Sequence, residues 1–223
     1  MHSRSAWFVA CVMACTVFAA PQPASAAAAL SVTVVDAAGA PLAGVVVTAE
    51  PSAGAPRAPP GQKAIMDQRN LMFVPDVLVV QAGTAVDFPN SDQVRHQVYS
   101  FSSAKTFQLA LYAGRAHAPV VFDRPGLVTL GCNIHDWMVG HVYVSGTPHF
   151  ATTGVDGRVG FDDLPAGLYV AQVWHPSMEA AEASTARTLT IARSGTLDVA
   201  WQLVLKPRFR PRRAPLPGPR GYR

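Results

Sequence analysis

The sequence predicts an all-β protein, and three observations favour this fold class. Short segments rich in β-branched and aromatic residues recur at intervals of about 8–12 residues, turn residues separate them, and no long segment has a helical period. The 223 residues include 17 glycines and 19 prolines, which suits a chain with many tight turns. With 49% hydrophobic and 14% charged residues, the chain can bury a substantial core and is not disordered as a whole.

The first 26 residues have the pattern of a secretory signal peptide. Arg4 supplies a positive charge, residues 6–20 form an apolar stretch too short to span a membrane, and Ala24-Ser25-Ala26 is a small-residue cleavage site. A lipoprotein anchored at Cys15 is the weaker alternative. We therefore expect export to the periplasm, and a mature chain that begins near residue 27 without a transmembrane segment.

Strand signals lie on both sides of a central segment and within it. Residues 31–35 and 45–48 are β-branched with turn residues between them, and a proline-rich linker follows at 51–61. Residues 177–186 are expected to form at most a short helix. The remaining strand signals cover residues 72–74, 77–80, 84–88, 96–101, 119–122, 127–130, 140–145, 152–153, 158–161, 168–174, 187–192 and 196–205.

The charges are unevenly distributed. Residues 206–223 carry seven basic and no acidic residues, whereas residues 27–205 carry ten basic and all fourteen acidic ones. The basic balance is therefore a property of the tail, which is proline- and arginine-rich and expected to be disordered. We expect no nucleic-acid partner.

Four residues form a candidate metal site: His96, Cys132, His135 and Met138. Cys11 and Cys15 would leave with the signal peptide, so Cys132 would be a lone cysteine in an oxidising compartment. Two imidazoles, a thiolate and a weak axial thioether are the ligands of a type 1 copper centre. Zinc remains an alternative, although Met is not a normal zinc ligand, and so does an inert buried cysteine.

Two sequence stretches around these residues resemble the cupredoxins, in particular those of the plastocyanin and amicyanin type. The upstream stretch is VDFPNSD at 86–92 followed by His96-Gln97-Val98, and the downstream stretch is PGLVTLGC at 125–132 followed by His135, Met138 and Gly140. The resemblance covers residues 64–145. It implies a Greek-key β-sandwich that binds one copper ion per chain through the four candidate ligands. Gln97 departs from the pattern, because the family often has Asn there, whose side chain ties the two ligand loops together.

The segments that flank this region resemble the two halves of a transthyretin-like or carboxypeptidase-regulatory-like β-sandwich. The motifs are VVDAAGAPLAGVVV at 34–47 and TTGVDGRVGFDDLPAGLYV at 152–170. We therefore expect a signal peptide at 1–26, the first half of a flanking sandwich at 27–55, a cupredoxin domain at 64–145, the second half at 146–205 and a tail at 206–223. The whole arrangement resembles periplasmic proteins of the methylamine utilisation or plastocyanin-like type.

Three functions are compatible with these observations. The first is a one-electron carrier, not an enzyme, that exchanges electrons with a cytochrome or dehydrogenase in the periplasm. The second is copper storage, delivery or sensing without redox turnover. The third is an adhesion or structural module that holds a metal. A CuA centre would need a second cysteine, and a multicopper oxidase would have histidines beside Cys132, where Gly131 and Asn133 stand.

Overall fold

The prediction of an all-β fold is confirmed. The computed structural model describes residues 28–114 and 118–207. Within them, the only helix is a short 3₁₀ helix, Glu182–Thr185. The first nine strands are β1 (Ala28–Asp36), β2 (Val46–Pro51), β3 (Lys63–Ile65), β4 (Asp67–Gln68), β5 (Phe73–Val74), β6 (Val77–Gln81), β7 (Thr84–Asp87), β8 (His96–Ser102) and β9 (Lys105–Tyr112). The other eight are β10 (Val120–Phe122), β11 (Gly126–Gly131), β12 (Val139–Ser145), β13 (Phe150–Thr152), β14 (Arg158–Phe161), β15 (Gly167–Trp174), β16 (Arg187–Ile191) and β17 (Gly195–Leu203).

Early and late strands of the chain share two sheets, whose apolar side chains pack into one core; we call these two sheets the flanking sandwich. One sheet has the order β14-β1-β17 and the other β13-β2-β15-β16. β1 runs parallel to β17 along its whole length, from Ala28 opposite Gly195 to Asp36 opposite Leu203. Every second residue of β1 from Ala28 to Val34 is buried, which is the alternation expected when one face of a strand covers a core.

The strands between residues 63 and 145 form the central sandwich. A five-stranded sheet has the order β6-β12-β11-β8-β9, a three-stranded sheet has the order β10-β7-β3, and β4 pairs with β5. Their apolar side chains make a separate core, which includes Phe73, Phe88, Phe122, Cys132 and Met138.

A small third cluster joins the two sandwiches. Val46 and Trp174 of the flanking sandwich pack with Tyr143 of β12. The Tyr143 hydroxyl donates a hydrogen bond to the carboxylate of Glu182. Burial raises the pKa of Glu182, against the opposing effect of this hydrogen bond. The junction therefore places a half-buried carboxyl group against the Tyr143 hydroxyl.

A β-bulge next to the central core explains why the sequence did not predict β9. His96 lies opposite Tyr112 and Val98 opposite Leu109, so two residues of β9 oppose one residue of β8. The bulge reverses the alternation, and Leu111 is exposed while Tyr112 is buried. An alternating pattern that changes phase within eight residues gives a weak strand signal.

Two predicted segments lie wholly or mainly outside the described residues: the signal peptide at 1–26 and the tail, of which only Lys206 and Pro207 are described. Among the residues that are described, no helix is long and apolar enough to cross a membrane. The predicted short helix within 177–186 is confirmed as the 3₁₀ turn.

Candidate metal centre

The four candidate ligands lie at one end of the five-stranded sheet. His96 is the first residue of β8, and the other three lie in the loop that joins β11 to β12. β11 pairs with β12 on one side and with β8 on the other, so the loop and His96 are neighbours. The sheet therefore brings a residue from a separate strand to a loop that already carries three.

The conformation of the loop explains the three-residue spacing of Cys132, His135 and Met138. The His135 N–H donates to the Cys132 carbonyl at 3.4 Å, and the Met138 N–H donates to the His135 carbonyl at 2.9 Å. Two successive turns of this i to i+3 type place side chains three residues apart on the same side of the backbone. A compact loop can thus direct all three towards one point.

Large side chains pack against a glycine at each end of this loop. A Cβ at Gly131 would lie 2.7 Å from the ring of Tyr99, and a Cβ at Gly140 would lie 2.7 Å from the Cβ of Phe73. Real Cβ atoms do not approach that closely. Because these two glycines have no side chain, Tyr99 and Phe73 can pack directly against the strand ends from which the loop extends.

Three nitrogen and sulfur atoms converge in the site. The distance from His96 Nδ1 to His135 Nδ1 is 3.1 Å, from Cys132 Sγ to His135 Nδ1 3.6 Å and from Cys132 Sγ to His96 Nδ1 3.9 Å. A triangle with these edges has a centre about 2.1 Å from each corner, close to the roughly 2.0–2.3 Å of metal bonds to imidazole nitrogen and thiolate sulfur. The residues present therefore fit a single metal ion.

The ligand atoms are largely protected from solvent. His96, Cys132 and Met138 are 0%, 3% and 1% exposed, while His135 is half-buried. Cys132 and Met138 belong to the same apolar core. The structure thus groups His96, Cys132 and His135 as possible metal ligands, and Met138 is buried in the same core as Cys132.

The site favours ionisation of the Cys132 thiol. Burial alone would raise its pKa, but the contact with His96 and hydrogen bonds from the backbone N–H groups of Gln97 and Ile134 outweigh burial and lower the pKa. The thiolate is the form that binds a metal. The Gln97 backbone therefore connects the two ligand segments at the position where the sequence departs from the family pattern.

The two histidines differ in their surroundings. Burial opposes protonation of His96, but its contacts with Cys132 and Asp92 outweigh burial and raise its pKa. Burial, followed by the charge of the neighbouring His96, lowers the pKa of His135. Both Cys132 and His96 would have to lose their acidic proton on the metal side to bind an ion, since metal ligands must be deprotonated.

No pattern in the sequence indicates a role for Asp92. Its Oδ2 atom lies 2.8 Å from His96 Nε2, on the side of the imidazole opposite to Cys132. Asp92 lies four residues before His96, but this spacing is informative only on a helix. The contact arises from the loop between β7 and β8, which no local pattern specifies.

Comparison with known proteins gives structural neighbours only. No family model matches the chain, and no curated protein matches it. A copper-containing nitrite reductase from Thermus scotoductus is 24% identical with a TM-score of 0.36, and the match covers 43% of this chain and 25% of the reductase. A reduced amicyanin variant is 18% identical with a TM-score of 0.35, covering 44% of this chain and 99% of amicyanin. A purple cupredoxin from Nitrosopumilus maritimus is 28% identical with a TM-score of 0.31, covering 38% of this chain and 99% of the cupredoxin. Each of these matches covers less than half of this chain.

Proposed function

We propose that this protein is a periplasmic type 1 copper protein that carries single electrons. One copper ion would be held by His96, Cys132 and His135, with Met138 as the weak axial ligand. The observation that carries the proposal is the convergence of two imidazole nitrogens and one sulfur within 3.9 Å of one another.

The donor set favours copper over zinc. Thiolate and thioether are soft donors that suit Cu(I), and imidazole also accepts Cu(II). Structural zinc sites are completed by further Cys or His residues. Among the described residues, His96, Cys132 and His135 are the only group of three potential histidine, cysteine or carboxylate ligands found together. A buried methionine three residues after His135 is therefore the natural fourth donor.

A bound copper ion would supply a reversible one-electron couple, and the chain's own contribution is to keep the ligands in place. Cys132 is fixed by two backbone hydrogen bonds and His96 by Asp92. Buried ligands in a packed core have little room to rearrange when the charge of the metal changes. A site that rearranges little is suited to electron transfer.

His135 is the ligand through which electrons would enter and leave. It is half-buried, and its neighbours Ile134 and Val139 are 50% and 46% exposed. We propose that a redox protein, a cytochrome or a dehydrogenase, contacts this end of the sheet. A short apolar contact would bring its cofactor close to the His135 ring without burying charge.

The domain organisation and the location belong to the same proposal. We propose that the cupredoxin domain at 64–145 is inserted into a flanking sandwich made by 27–55 and 146–205. The separate sheets and cores of the two parts support this division. The signal pattern at 1–26 supports export to the periplasm.

Loading with Cu(II) tests the site. The protein should take up one copper ion per chain, develop intense visible absorption from the bond between sulfur and copper, and bleach on addition of ascorbate. Cys132→Ser should abolish the colour, whereas Asn133→Ser, an exposed change in the same loop, should retain it. A colourless wild-type protein, or colour that survives Cys132→Ser, would refute the proposal.

Repeated cycling separates a carrier from a delivery protein. A carrier should retain its copper through many cycles of reduction by ascorbate and reoxidation by ferricyanide in the presence of a Cu(I) chelator. Loss of copper to the chelator in the first reduced state would instead indicate delivery or storage. Metal analysis of the protein after each cycle gives the answer.

A further inference from the structure

The proposed function uses Asp92 only to hold His96 in place and gives no role to the charge of its carboxylate. Its Oδ2 atom contacts His96 Nε2 at 2.8 Å, while His96 Nδ1 faces Cys132 and His135. His96 is fully buried and the Asp92 side chain is 13% exposed. The carboxylate therefore lies directly behind one of the proposed ligands and is mostly shielded from water.

The carboxylate is itself held firmly by backbone groups. Asp92 Oδ1 accepts a hydrogen bond from the Asn70 N–H at 2.6 Å, and Oδ2 accepts one from the Leu71 N–H at 2.9 Å. Asn70 and Leu71 adopt positive φ angles of 54° and 56°, which turn both N–H groups towards Asp92. The Asp92 N–H in turn donates to the Asn90 side chain. Two backbone hydrogen bonds thus orient the carboxylate, and a third holds the Asp92 backbone, before any metal arrives.

Among the described residues, no lysine or arginine forms an ion pair with Asp92. Within residues 28–114 and 118–207, its one ion-pair partner is His96, and the nearby Arg69 pairs with Asp67 instead. A carboxylate fixed on Nε2 keeps a proton on that nitrogen and directs the lone pair of Nδ1 into the site. It also makes the imidazole a stronger donor, as carboxylate and histidine pairs do at metal sites.

We propose that Asp92 is a positioning residue that selects the tautomer of His96 and, through its negative charge, stabilises Cu(II) relative to Cu(I). The effect on the copper oxidation state rests on the proposed function, whereas the selection of the His96 tautomer does not. Loss of such an outer partner at metal sites changes affinity by about 10–100-fold.

The tautomer is tested first, in the metal-free protein. At a pH where the ring is neutral, ¹⁵N NMR of the wild type should show His96 protonated at Nε2. Asp92→Asn keeps an oxygen that can accept this proton and should retain the tautomer. Asp92→Ala should give a mixture of tautomers. An unchanged Nε2 tautomer in Asp92→Ala would overturn the positioning role.

The charge effect is tested next, by the reduction potential of the copper-loaded protein. Asp92→Asn should lower the preference for Cu(II) over Cu(I) about tenfold, which raises the potential of a one-electron couple by about 59 mV. Asp123→Asn is the matched control, because it removes the same charge from an exposed pair with Lys105. Equal shifts in the two variants would overturn the charge effect.

The two experiments separate the failure of this inference from the failure of the proposed function. A wild-type protein that binds no copper refutes the copper function and the charge effect, while the NMR result still decides whether Asp92 positions His96. A copper-loaded protein whose potential is insensitive to Asp92→Asn refutes the charge effect alone. Thermal unfolding of each metal-free variant confirms that the fold is retained.

Discussion

Replacement of Gly140 by alanine tests the packing that supports the ligand loop. Gly140 is buried in β12, two residues after Met138 and opposite Leu130 of β11. A Cβ at this position would lie 2.7 Å from the Cβ and 3.0 Å from the ring of Phe73. Gly140 lies in β12 and Phe73 in β5, and Phe73 belongs to the same core as Cys132. Neither strand can therefore move away from the added methyl group without disturbing that core.

The expected cost follows from this overlap. Insertion of one methyl group into a packed core costs about 1–3 kcal/mol. For a chain of this size, each kcal/mol lowers the melting temperature by about 2–4 °C. Gly140→Ala should therefore lower the melting temperature of the metal-free protein by about 2–12 °C.

Gly160→Ala is the matched control for this experiment. Gly160 also lies within a strand, its φ is not in the left-handed region, and an added Cβ would meet nothing within 4 Å. This variant should be neutral or slightly stabilised, because alanine loses less backbone entropy on folding. Both proteins are followed by circular dichroism during heating and by denaturant titration. A Gly140→Ala protein as stable as Gly160→Ala would refute the packing argument.

Three further changes test other parts of the structure. Leu30→Ala should destabilise the protein by about 2–5 kcal/mol, because it leaves a cavity in the core of the flanking sandwich. The visible spectrum of the copper-loaded protein should stay unchanged, because Cys132 belongs to a different core. An altered spectrum would contradict this separation. Because burial raises the pKa of Glu182, folding favours its protonated form. The unfolding free energy of the wild type minus that of Glu182→Gln should therefore fall as pH rises above 4.5. If denaturant titrations show the same difference at every pH, folding does not change the pKa of Glu182. Trp137 packs against His135 with ring centroids 5.4 Å apart, so Trp137→Ala should lose copper to a chelator faster than Trp137→Phe, and equal rates would rule out a shielding role.

The candidate ligands could be predicted from the sequence because their spacing is set locally. Cys132, His135 and Met138 lie three residues apart in a loop of successive turns, so the pattern and the geometry have the same period. His96 could be added because it starts a strand with a recognisable pattern. The sequence gives no comparable signal for distances within the site.

Features that depend on contacts between distant segments could not be predicted. The Asp92 carboxylate that contacts His96 is held by two N–H groups of the β4–β5 hairpin. The short strand β3 lies just after the predicted linker, and its three residues carry no strand signal of their own. It is held as a strand by its parallel pairing with β7. β9 was missed because its bulge interrupts the alternation. In each case the residue or strand on which the feature depends is more than ten residues away in the sequence.

The parallel pairing of β1 with β17 has a consequence for the order of folding. The flanking sandwich must join segments separated by the central one, and closing a loop of about 100 residues costs about 4 kcal/mol in chain entropy. β2 pairs with β13, with Thr48 opposite Phe150, so the two ends of the central segment lie side by side. Once the central sandwich has folded, most of that loop is already closed. We therefore expect mutations that delay folding of the central strands to delay formation of the sheets around them as well.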